Sequence, residues 1–436
     1  MSPLLIGLIG LIALLVCLFL GMNIGFSMIL VGFIGYAILI SPKAAVGLFA
    51  SVPFTTVASF SFSVIPLFVL MGQFAFYSGL SQDLYSFCYK WLGRVPGGLA
   101  AATIAACGGF AAICGSSTAT TATMGVVCLP EMRKYKYKDE LACGSISAGG
   151  TLGILIPPSV GFILYGITAS QSVGAMFAAG IIPGILLAVV YIITIILQVK
   201  KNPSLAEKGE KFTMKEKLAA FKSIIGIIII FVIVLGGIFG GLFTANEGAA
   251  VGAFAAFIYM IIKKKASWEN IKKSLTDTLK TSSMIFMIMI GAYVFGYFLT
   301  ASKLPITLAQ TVAELNMPPI IAILLILAIY AVLGCFVDSL PLIVLLTPIF
   351  LPIVMQFNMN PVWFGVLMVM VMQLGLITPP VGMCVYVMGG IAKDVPLQRI
   401  FLGVFPFVIA LLITCVIVAV IQPLSLALPT LLGFIS

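Results

Sequence analysis

Two short stretches of polar, glycine and proline residues interrupt long apolar sequence, and the second repeats the first about 222 residues later. The first stretch begins at Gly115-Ser116-Ser117-Thr118 and resumes at Gly153-Ile154-Leu155-Ile156-Pro157-Pro158. The second begins at Val337-Asp338-Ser339 and resumes at Gly375-Leu376-Ile377-Thr378-Pro379-Pro380. Proline removes an amide donor and glycine permits unusual backbone angles, so each stretch frees backbone carbonyls where a helix would otherwise continue. Helices broken at matching positions of two halves are the best sequence indication of a secondary transporter's binding site.

The polar groups at these interruptions suit a hard monovalent cation. Carbonyls freed at the end of one half-helix face a cation, and amides that begin the next half-helix face an anion. Hydroxyl groups of Ser116, Ser117 and Thr378 add neutral oxygens. Asp338 is a carboxylate deep in apolar sequence, which predicts charge compensation for a cation or contact with substrate. The competing interpretations are that the prolines only shape packing and that Asp338 only caps a helix.

The composition places most of the chain in a lipid bilayer. Hydrophobic residues make up 62% and charged residues 8% of the 436 residues, whereas a soluble domain is about 25% charged. The chain has no histidine, which excludes a histidine proton relay and makes sodium coupling simpler than proton coupling. It also lacks a nucleotide loop, a serine–lysine dyad and a metal-binding histidine pair. An enzymatic function is therefore not predicted.

The basic residues predict the orientation in the membrane. The net charge is +10, and every lysine and arginine except Lys43 and Lys303 can be assigned to one side, above all in the lysine-rich segment 200–222. The positive-inside rule puts that segment in the cytoplasm and both termini on the outer side. The charge thus indicates orientation, and no nucleic-acid partner is predicted.

The apolar runs predict an all-α polytopic membrane protein made of two inverted-topology repeats, each with a re-entrant helical hairpin and a broken transmembrane helix. The clearest spans are Leu4–Leu20, Met22–Ile40, Ile181–Val199, Ile224–Phe243, Ala245–Ile262, Met284–Thr300 and Phe401–Ile421. The first repeat covers 1–199, with a hairpin at about 97–134 and a broken helix at about 141–169. A cytoplasmic linker at 200–222 leads to the second repeat, 223–436, with a hairpin at about 319–357 and a broken helix at about 362–392.

Two arguments support this topology. Each arm of the first hairpin is expected to hold about 14–15 residues and to reach only ~22 Å, short of the ~30 Å hydrocarbon core. An odd number of crossings in the first repeat makes the second repeat enter with the opposite orientation. The hairpins and broken helices are expected to move together beside a fixed scaffold that includes Leu4–Ile40 and Ile224–Ile262.

The interruptions also resemble a family signature. The run Gly115–Thr121, followed by Gly149–Ser159, looks like the large membrane subunit of TRAP (tripartite ATP-independent periplasmic) transporters, and Gly375–Gly382 resembles that family's second signature. The resemblance covers essentially the whole chain. It implies an elevator-type ion-transporter fold. It also implies a sodium-coupled importer of organic acids in the bacterial inner membrane, of the kind that carries sialic acid or C4-dicarboxylates. It also implies two partners: a small four-helix membrane subunit (Q type) and an extracytoplasmic substrate-binding protein (P type).

The same resemblance implies about two sodium sites, with the substrate between the hairpin tips. The first sodium site falls on Ser116, Ser117, Gly150 and Gly153, and the second on Val337, Asp338, Gly375 and Thr378. The candidate substrate-binding residues are Thr118, Thr121, Pro157, Pro158, Ser159, Ser339, Pro379 and Pro380.

Two other functions fit the same sequence. One is a stand-alone sodium/dicarboxylate symporter of the same superfamily, which needs no binding protein. The other is a passive channel, whose fluxes do not follow the sodium gradient. The side chains do not choose between sialic acid and a C4-dicarboxylate as the substrate.

Overall fold

The computed structural model describes residues 2–207, 209–315 and 318–435, and all regular secondary structure in these ranges is helical. The helices of the first half are α1 (Pro3–Phe19), α2 (Ile24–Leu39), α3 (Pro42–Val57), α4 (Val64–Tyr77), α5 (Leu80–Leu92), α6 (Gly98–Cys114), α7 (Ser117–Lys134), α8 (Asp139–Thr151), α9 (Val160–Thr168) and α10 (Val173–Lys201). Those of the second half are α11 (Met214–Phe231), α12 (Gly237–Phe239), α13 (Ala245–Ile262), α14 (Trp268–Ser302), α15 (Leu304–Glu314), α16 (Pro319–Gly334), α17 (Ser339–Gln356), α18 (Pro361–Ile377), α19 (Met383–Ile391), α20 (Leu397–Val420) and α21 (Pro423–Leu431).

Within the described ranges, seven helical segments are long and apolar enough to cross a membrane. They are Phe60–Tyr77, Val173–Lys201, Met214–Phe239, Ala245–Ile262, Trp268–Ser302, Ser339–Gln356 and Leu397–Val420. Shorter apolar helices such as α1, α2 and α18 accompany them. A chain of this kind satisfies its backbone groups inside helices because the bilayer core offers no water. The prediction of an all-α polytopic membrane protein is therefore confirmed.

The two halves repeat in register. Helix α7 begins at Ser117 and ends at Lys134, and α17 begins at Ser339 and ends at Gln356, with the same offset of 222 residues at both ends. The Pro157-Pro158 and Pro379-Pro380 peptide bonds, separated by the same offset, are both cis. The sequence repeat is thus also a structural repeat.

Local signals end and restart the helices at the interruptions. Ser116, Ser159 and Asp338 precede α7, α9 and α17, and each side chain accepts a hydrogen bond from a backbone amide of the helix that it caps. Gly115 and Gly382 have φ angles of +63° and +59°, which favour glycine. We call α6–α7 hairpin one and α16–α17 hairpin two. Break one is residues 152–159, and break two is residues 378–382.

Several helices extend beyond the predicted spans. The predicted span Met284–Thr300 is only part of α14, which runs for 35 residues. Its polar first turns carry a Glu269–Lys273 ion pair of 2.6 Å, four residues apart, which a hydropathy pattern does not detect. Helices α5, α15 and α21 were not predicted as separate helices.

The arms of hairpin one are also longer than expected. They contain 17 and 18 residues rather than 14–15, because helical geometry continues into the polar residues at the base of α7. At 1.5 Å per residue they reach ~26 Å, so arm length alone does not identify a re-entrant hairpin. The position of the hairpin tip is the better criterion.

Helix packing defines two groups, which contact each other through α4 against α6 and α14 against α17 and are also linked by α5 and α15. In one group α2 packs on α14, and α4 packs on α13 and α14. In the other group the hairpins and the helices on either side of the breaks contact one another, with α20 against α8 and α19 against α7. Helix α5 contacts α6 and α11, and α15 contacts α17. We call α2, α4, α13 and α14 the scaffold helices, and α6–α9 with α16–α19 the hairpin body.

Candidate solute and cation site

The tips of the two hairpins meet at one cavity of about 410 Å³. Hairpin one contributes residues 114–119 to its wall, and hairpin two contributes residues 338–340. The opposite wall is formed by α4 and α14, through residues such as Val69, Gln73 and Thr281. These positions lie within the lengths of the spans Phe60–Tyr77 and Trp268–Ser302 rather than at their ends. Both tips therefore stop inside the protein, as a re-entrant hairpin requires.

The tip of hairpin one lies directly against break one. A Cβ atom added to Gly153 would lie 2.5 Å from the Ser116 carbonyl oxygen and 2.7 Å from the Ser117 amide nitrogen. The Ser117 hydroxyl donates a hydrogen bond to the Thr151 carbonyl oxygen at 3.2 Å. The amide of Val160 donates to the Gly115 carbonyl oxygen at 3.4 Å. Three residues of the first predicted sodium site, Ser116, Ser117 and Gly153, are thus brought together.

Gly150, the fourth residue of that set, packs against the Thr121 hydroxyl. This hydroxyl donates to the Ser117 carbonyl oxygen at 2.9 Å, and the Thr120 hydroxyl donates to the Ser116 carbonyl oxygen at 2.7 Å. The atoms collected here are neutral carbonyl and hydroxyl oxygens, which are the ligands that hard cations take. This set of oxygens fits a sodium ion. Thr121 holds the Ser117 carbonyl in place through its hydrogen bond.

Hairpin two and break two make a similar contact with different side chains. A Cβ atom on Gly375 would overlap the backbone of Gly334. The amide of Val381 donates to the Cys335 carbonyl oxygen at 3.3 Å, and the Thr378 hydroxyl lies 3.1 Å from the Cys335 sulfur. The Thr378 hydroxyl donates to the Leu374 carbonyl oxygen at 2.7 Å. Gly375 and Thr378 therefore meet the end of α16, and half-buried Val337 lies in the same tip.

Asp338 supplies the negative charge of the cavity. One carboxylate oxygen accepts the Ser339 amide at 2.7 Å, which satisfies the first turn of α17. The residues that line the cavity include no lysine or arginine. Within the described ranges, no group of three histidine, cysteine or acidic residues could bind a transition metal. A carboxylate at such a position is stabilised by a cation, and a monovalent ion fits the neutral oxygens nearby.

The predicted substrate residues occupy different places. Thr118 and Ser339 line the cavity. Ser159 is buried, where its hydroxyl donates to the Ile154 carbonyl oxygen at 2.5 Å. Pro157 and Pro158 are buried, whereas Pro379 and Pro380 are exposed. None of these last five residues is part of the cavity wall, so they are placed to shape the breaks, and their contact with substrate stays a prediction.

Three polar residues near the hairpin body were not predicted from the sequence. Gln73 and Thr281 belong to the scaffold helices and line the cavity. Gln373 is 0% exposed in α18, and neither of its amide atoms has a hydrogen-bond partner among the described residues. A single glutamine in an apolar helix was the available signal for Gln73 and Gln373, but it does not reveal which cavity a side chain faces.

The two ends of α4 beside the cavity differ in burial. Phe68 packs on Phe177 with ring centroids 5.6 Å apart, and Phe68 is only 4% exposed. Two turns further along α4, Phe76 is 37% exposed. A second cavity, which shares Gln73 with the first, extends past Phe76 and Thr123. Just beyond α4, Asp83 of α5 pairs with Lys263 at the end of α13 at 2.5 Å, so the Phe76 end of α4 lies toward the lysine-bearing face.

Comparisons with known proteins agree with this geometry. Residues 11–424 match the family model described as the DctM component of the tripartite ATP-independent periplasmic transporter. The chain is 35% identical to the C4-dicarboxylate TRAP transporter large permease protein DctM of Pseudomonas aeruginosa, over 87% of this chain and 88% of that protein. It is 31% identical to the sialic acid TRAP transporter large permease protein SiaM of Vibrio cholerae, over 96% and 97% respectively.

A solved structure has the same kind of fold. The YdaH transporter of Alcanivorax borkumensis, described as having an unusual topology, superposes with a TM-score of 0.63. The alignment covers 89% of this chain and 91% of that one, at 15% sequence identity. At this identity the likeness concerns the fold alone. It agrees with the helical repeat architecture described above.

Proposed function

Because the chain belongs to the DctM family of TRAP transporter large permeases, we propose that it uses the sodium gradient to import an organic acid. The chain is a multi-pass membrane permease of the secondary transporter class and not an enzyme. Sialic acid and C4-dicarboxylates are the proposed substrate classes, because two similar permeases are named as transporters of these acids.

The meeting of both hairpin tips at one cavity carries this proposal. Sodium ions are proposed to bind at each tip, the first at Ser116, Ser117, Gly150 and Gly153, and the second at Val337, Asp338, Gly375 and Thr378. Each ion would be co-transported with the acid. Since the cavity wall contains a carboxylate and no basic residue, an organic anion enters favourably only with cations beside it. This requirement couples the two solutes.

An elevator movement is proposed for the crossing. The hairpin body packs as a unit, and α5 and α15 link it to its surroundings. Helix α4 contacts the hairpin body through α6 and α9, and the buried residues of α4 include the apolar Phe68 and Val69, so this contact can slide without breaking polar bonds. We propose that the scaffold helices stay fixed while the hairpin body carries its side of the cavity across the bilayer.

The proposed setting is the bacterial inner membrane. Both termini would lie on the outer side, and the lysine-rich segment would lie in the cytoplasm. A small four-helix membrane subunit and an extracytoplasmic substrate-binding protein are the proposed partners. The Phe76 end of α4 would then face the cytoplasm, where the acid and the sodium ions are proposed to leave.

Uptake into proteoliposomes tests the proposal. The purified chain with its small subunit and binding protein should accumulate labelled N-acetylneuraminate or succinate when sodium is higher outside. Accumulation should persist when only the proton gradient is collapsed. Uptake driven by protons in sodium-free buffer would contradict sodium coupling. Uptake by the chain alone would favour the stand-alone symporter, and equilibration without accumulation would indicate a channel.

A further inference from the structure

Two polar side chains on the scaffold helices face the hairpin tips across the cavity. Gln73 of α4 and Thr281 of α14 line the same cavity as Ser116, Thr118 and Asp338. Helix α14 packs on α4, so the two side chains belong to one wall. We propose that Gln73 and Thr281 form the fixed half of the solute site, where they donate hydrogen bonds to a carboxylate of an organic acid. The proposal rests on the proposed function only in taking an organic acid as the solute.

The hydroxyl of Thr281 is free for a ligand, unlike those of Thr278 and Thr300 in the same helix. Threonines in helices usually donate to the carbonyl four residues earlier. Thr278 and Thr300 of α14 do so, to the Ser274 and Gly296 carbonyl oxygens at 2.7 and 2.9 Å. Among the described residues, Thr281 makes no such bond. Its hydroxyl is therefore available on the cavity side of the helix.

The amide of Gln73 is similarly available. Gln73 is half-buried, and its side chain takes part in no hydrogen bond within the described ranges. Its NH₂ group can donate two hydrogen bonds, and the Thr281 hydroxyl can donate one. A cavity without lysine or arginine must bind a carboxylate through such neutral donors together with co-transported cations. These two residues are the amide and hydroxyl donors that the scaffold helices offer to the cavity.

The same helix faces continue toward the lysine-bearing end. One turn beyond Gln73 and one turn before Thr281, the Tyr77 hydroxyl donates to Asp277 at 2.8 Å. Asp277 also lies 3.9 Å from the exposed Lys280. Polar groups therefore line α4 and α14 from the tips to this end. In the opposite direction the walls are apolar, with Phe68 and Ile288 buried. Tyr77 and Asp277 are assigned to the exit from the solute site.

Uptake kinetics test the contact with the acid. In the assembled transporter, with labelled succinate and N-acetylneuraminate as probes, Gln73→Leu and Thr281→Val should each raise KM about five- to tenfold, as expected for loss of a hydrogen bond. The sodium concentration for half-maximal uptake should stay within twofold of the wild-type value. Thr278→Val is the matched control on the same helix, and Gln82→Leu is the control for glutamine, since Gln82 is exposed on α5. Unchanged KM values in both cavity variants would overturn the proposal.

Thiol labelling tests the exit even if neither acid is transported. Gln73→Cys and Thr281→Cys, in a background without the nine native cysteines, are treated with a membrane-impermeant methanethiosulfonate in vesicles of each orientation. Labelling should be at least tenfold faster from the lysine-bearing face. Phe68→Cys and Ile288→Cys should remain unlabelled from that face. Equal or faster labelling of Gln73→Cys from the opposite face would overturn the exit assignment, whereas absence of any uptake would contradict the proposed function alone.

Discussion

The two hairpins share one backbone plan but have different surroundings. Ser116 caps α7 and Asp338 caps α17 at equivalent positions of the repeat, so a neutral cap in one half corresponds to a carboxylate in the other. Helix α6 is buried over most of its length, whereas α16 exposes Ile321, Leu325 and Val332. The prolines of break one are buried, and those of break two are exposed.

The comparison shows which features the two halves of the repeat share and which differ. Both halves keep a glycine at the point where a tip touches a break, because any side chain there would meet the backbone. The chemistry and burial around that point differ. Hairpin two covers less of its apolar surface with protein, and local opening costs less where fewer buried contacts are lost. We therefore expect hairpin two to open more readily than hairpin one, in the conformation described here.

The largest effects are expected at the two contact glycines. Gly153→Ala and Gly375→Ala each place a methyl group against backbone atoms, so each should destabilise the protein by about 1–3 kcal/mol. Sodium-dependent uptake should fall with it. Gly296→Ala is the control, because among the described residues no atom lies within 4 Å of its added Cβ. Melting curves in detergent measure the effect, and a loss in only one variant would show that the two contacts are not equivalent.

A smaller effect distinguishes the two caps. Asp338→Asn removes the charge but retains a good capping residue, so the melting temperature should change little. The sodium concentration for half-maximal uptake should rise about tenfold if the carboxylate helps to bind a cation.

Ser116→Ala provides the comparison in the first half. It removes a cap worth ~1 kcal/mol without changing charge, so stability should fall more than in Asp338→Asn. If Asp338→Asn instead lowered stability and left the sodium dependence unchanged, Asp338 would be a cap alone.

Hydrogen exchange tests the difference in opening. Amides at 335–337 should exchange severalfold faster than those at 115–117, because hairpin two has fewer buried neighbours. Sodium should slow exchange at both tips, since a ligand that binds only the closed tip stabilises it. Mass spectrometry of peptic fragments measures both rates. Faster exchange at 115–117 would reverse the comparison.

The smallest effect concerns an exposed link between the halves. Arg133 of hairpin one contacts Asp394, which follows α19, at 2.7 Å, and this ion pair lowers the pKa of the Asp394 carboxyl. A carboxyl with a lowered pKa in the folded protein stabilises it at neutral pH, and that stabilisation is lost as acid protonates the group.

Asp394→Asn should thus lower the melting temperature slightly at pH 7, and the difference from wild type should vanish in acid below the lowered pKa. Salt should reduce the effect, because the pair is exposed. A difference that persists in strong acid would show that the link is not electrostatic.

The sequence by itself determined the repeat and the breaks, and it offered a helix cap as one interpretation of Asp338. Proline, glycine and capping residues such as Ser116 and Asp338 act within a few residues of the chain, so their effect on helix ends can be read locally. The family resemblance followed from the same runs and is confirmed by the comparisons. Hydropathy placed the apolar spans but missed the polar extension of α14 and the bridging helices α5 and α15, since these are not apolar throughout.

Only the tertiary structure decided which residues share the cavity. In the sequence, Gln73 and Thr281 are ordinary polar residues of their helices. They line the cavity only because α4 and α14 pack opposite the hairpin tips. The tertiary structure also decided the unequal burial of the two hairpins, which cannot be predicted from the sequence repeat. Helix ends depend on neighbouring residues in the chain, whereas a cavity wall depends on which faces of distant helices meet, and packing sets that only when the whole chain has folded.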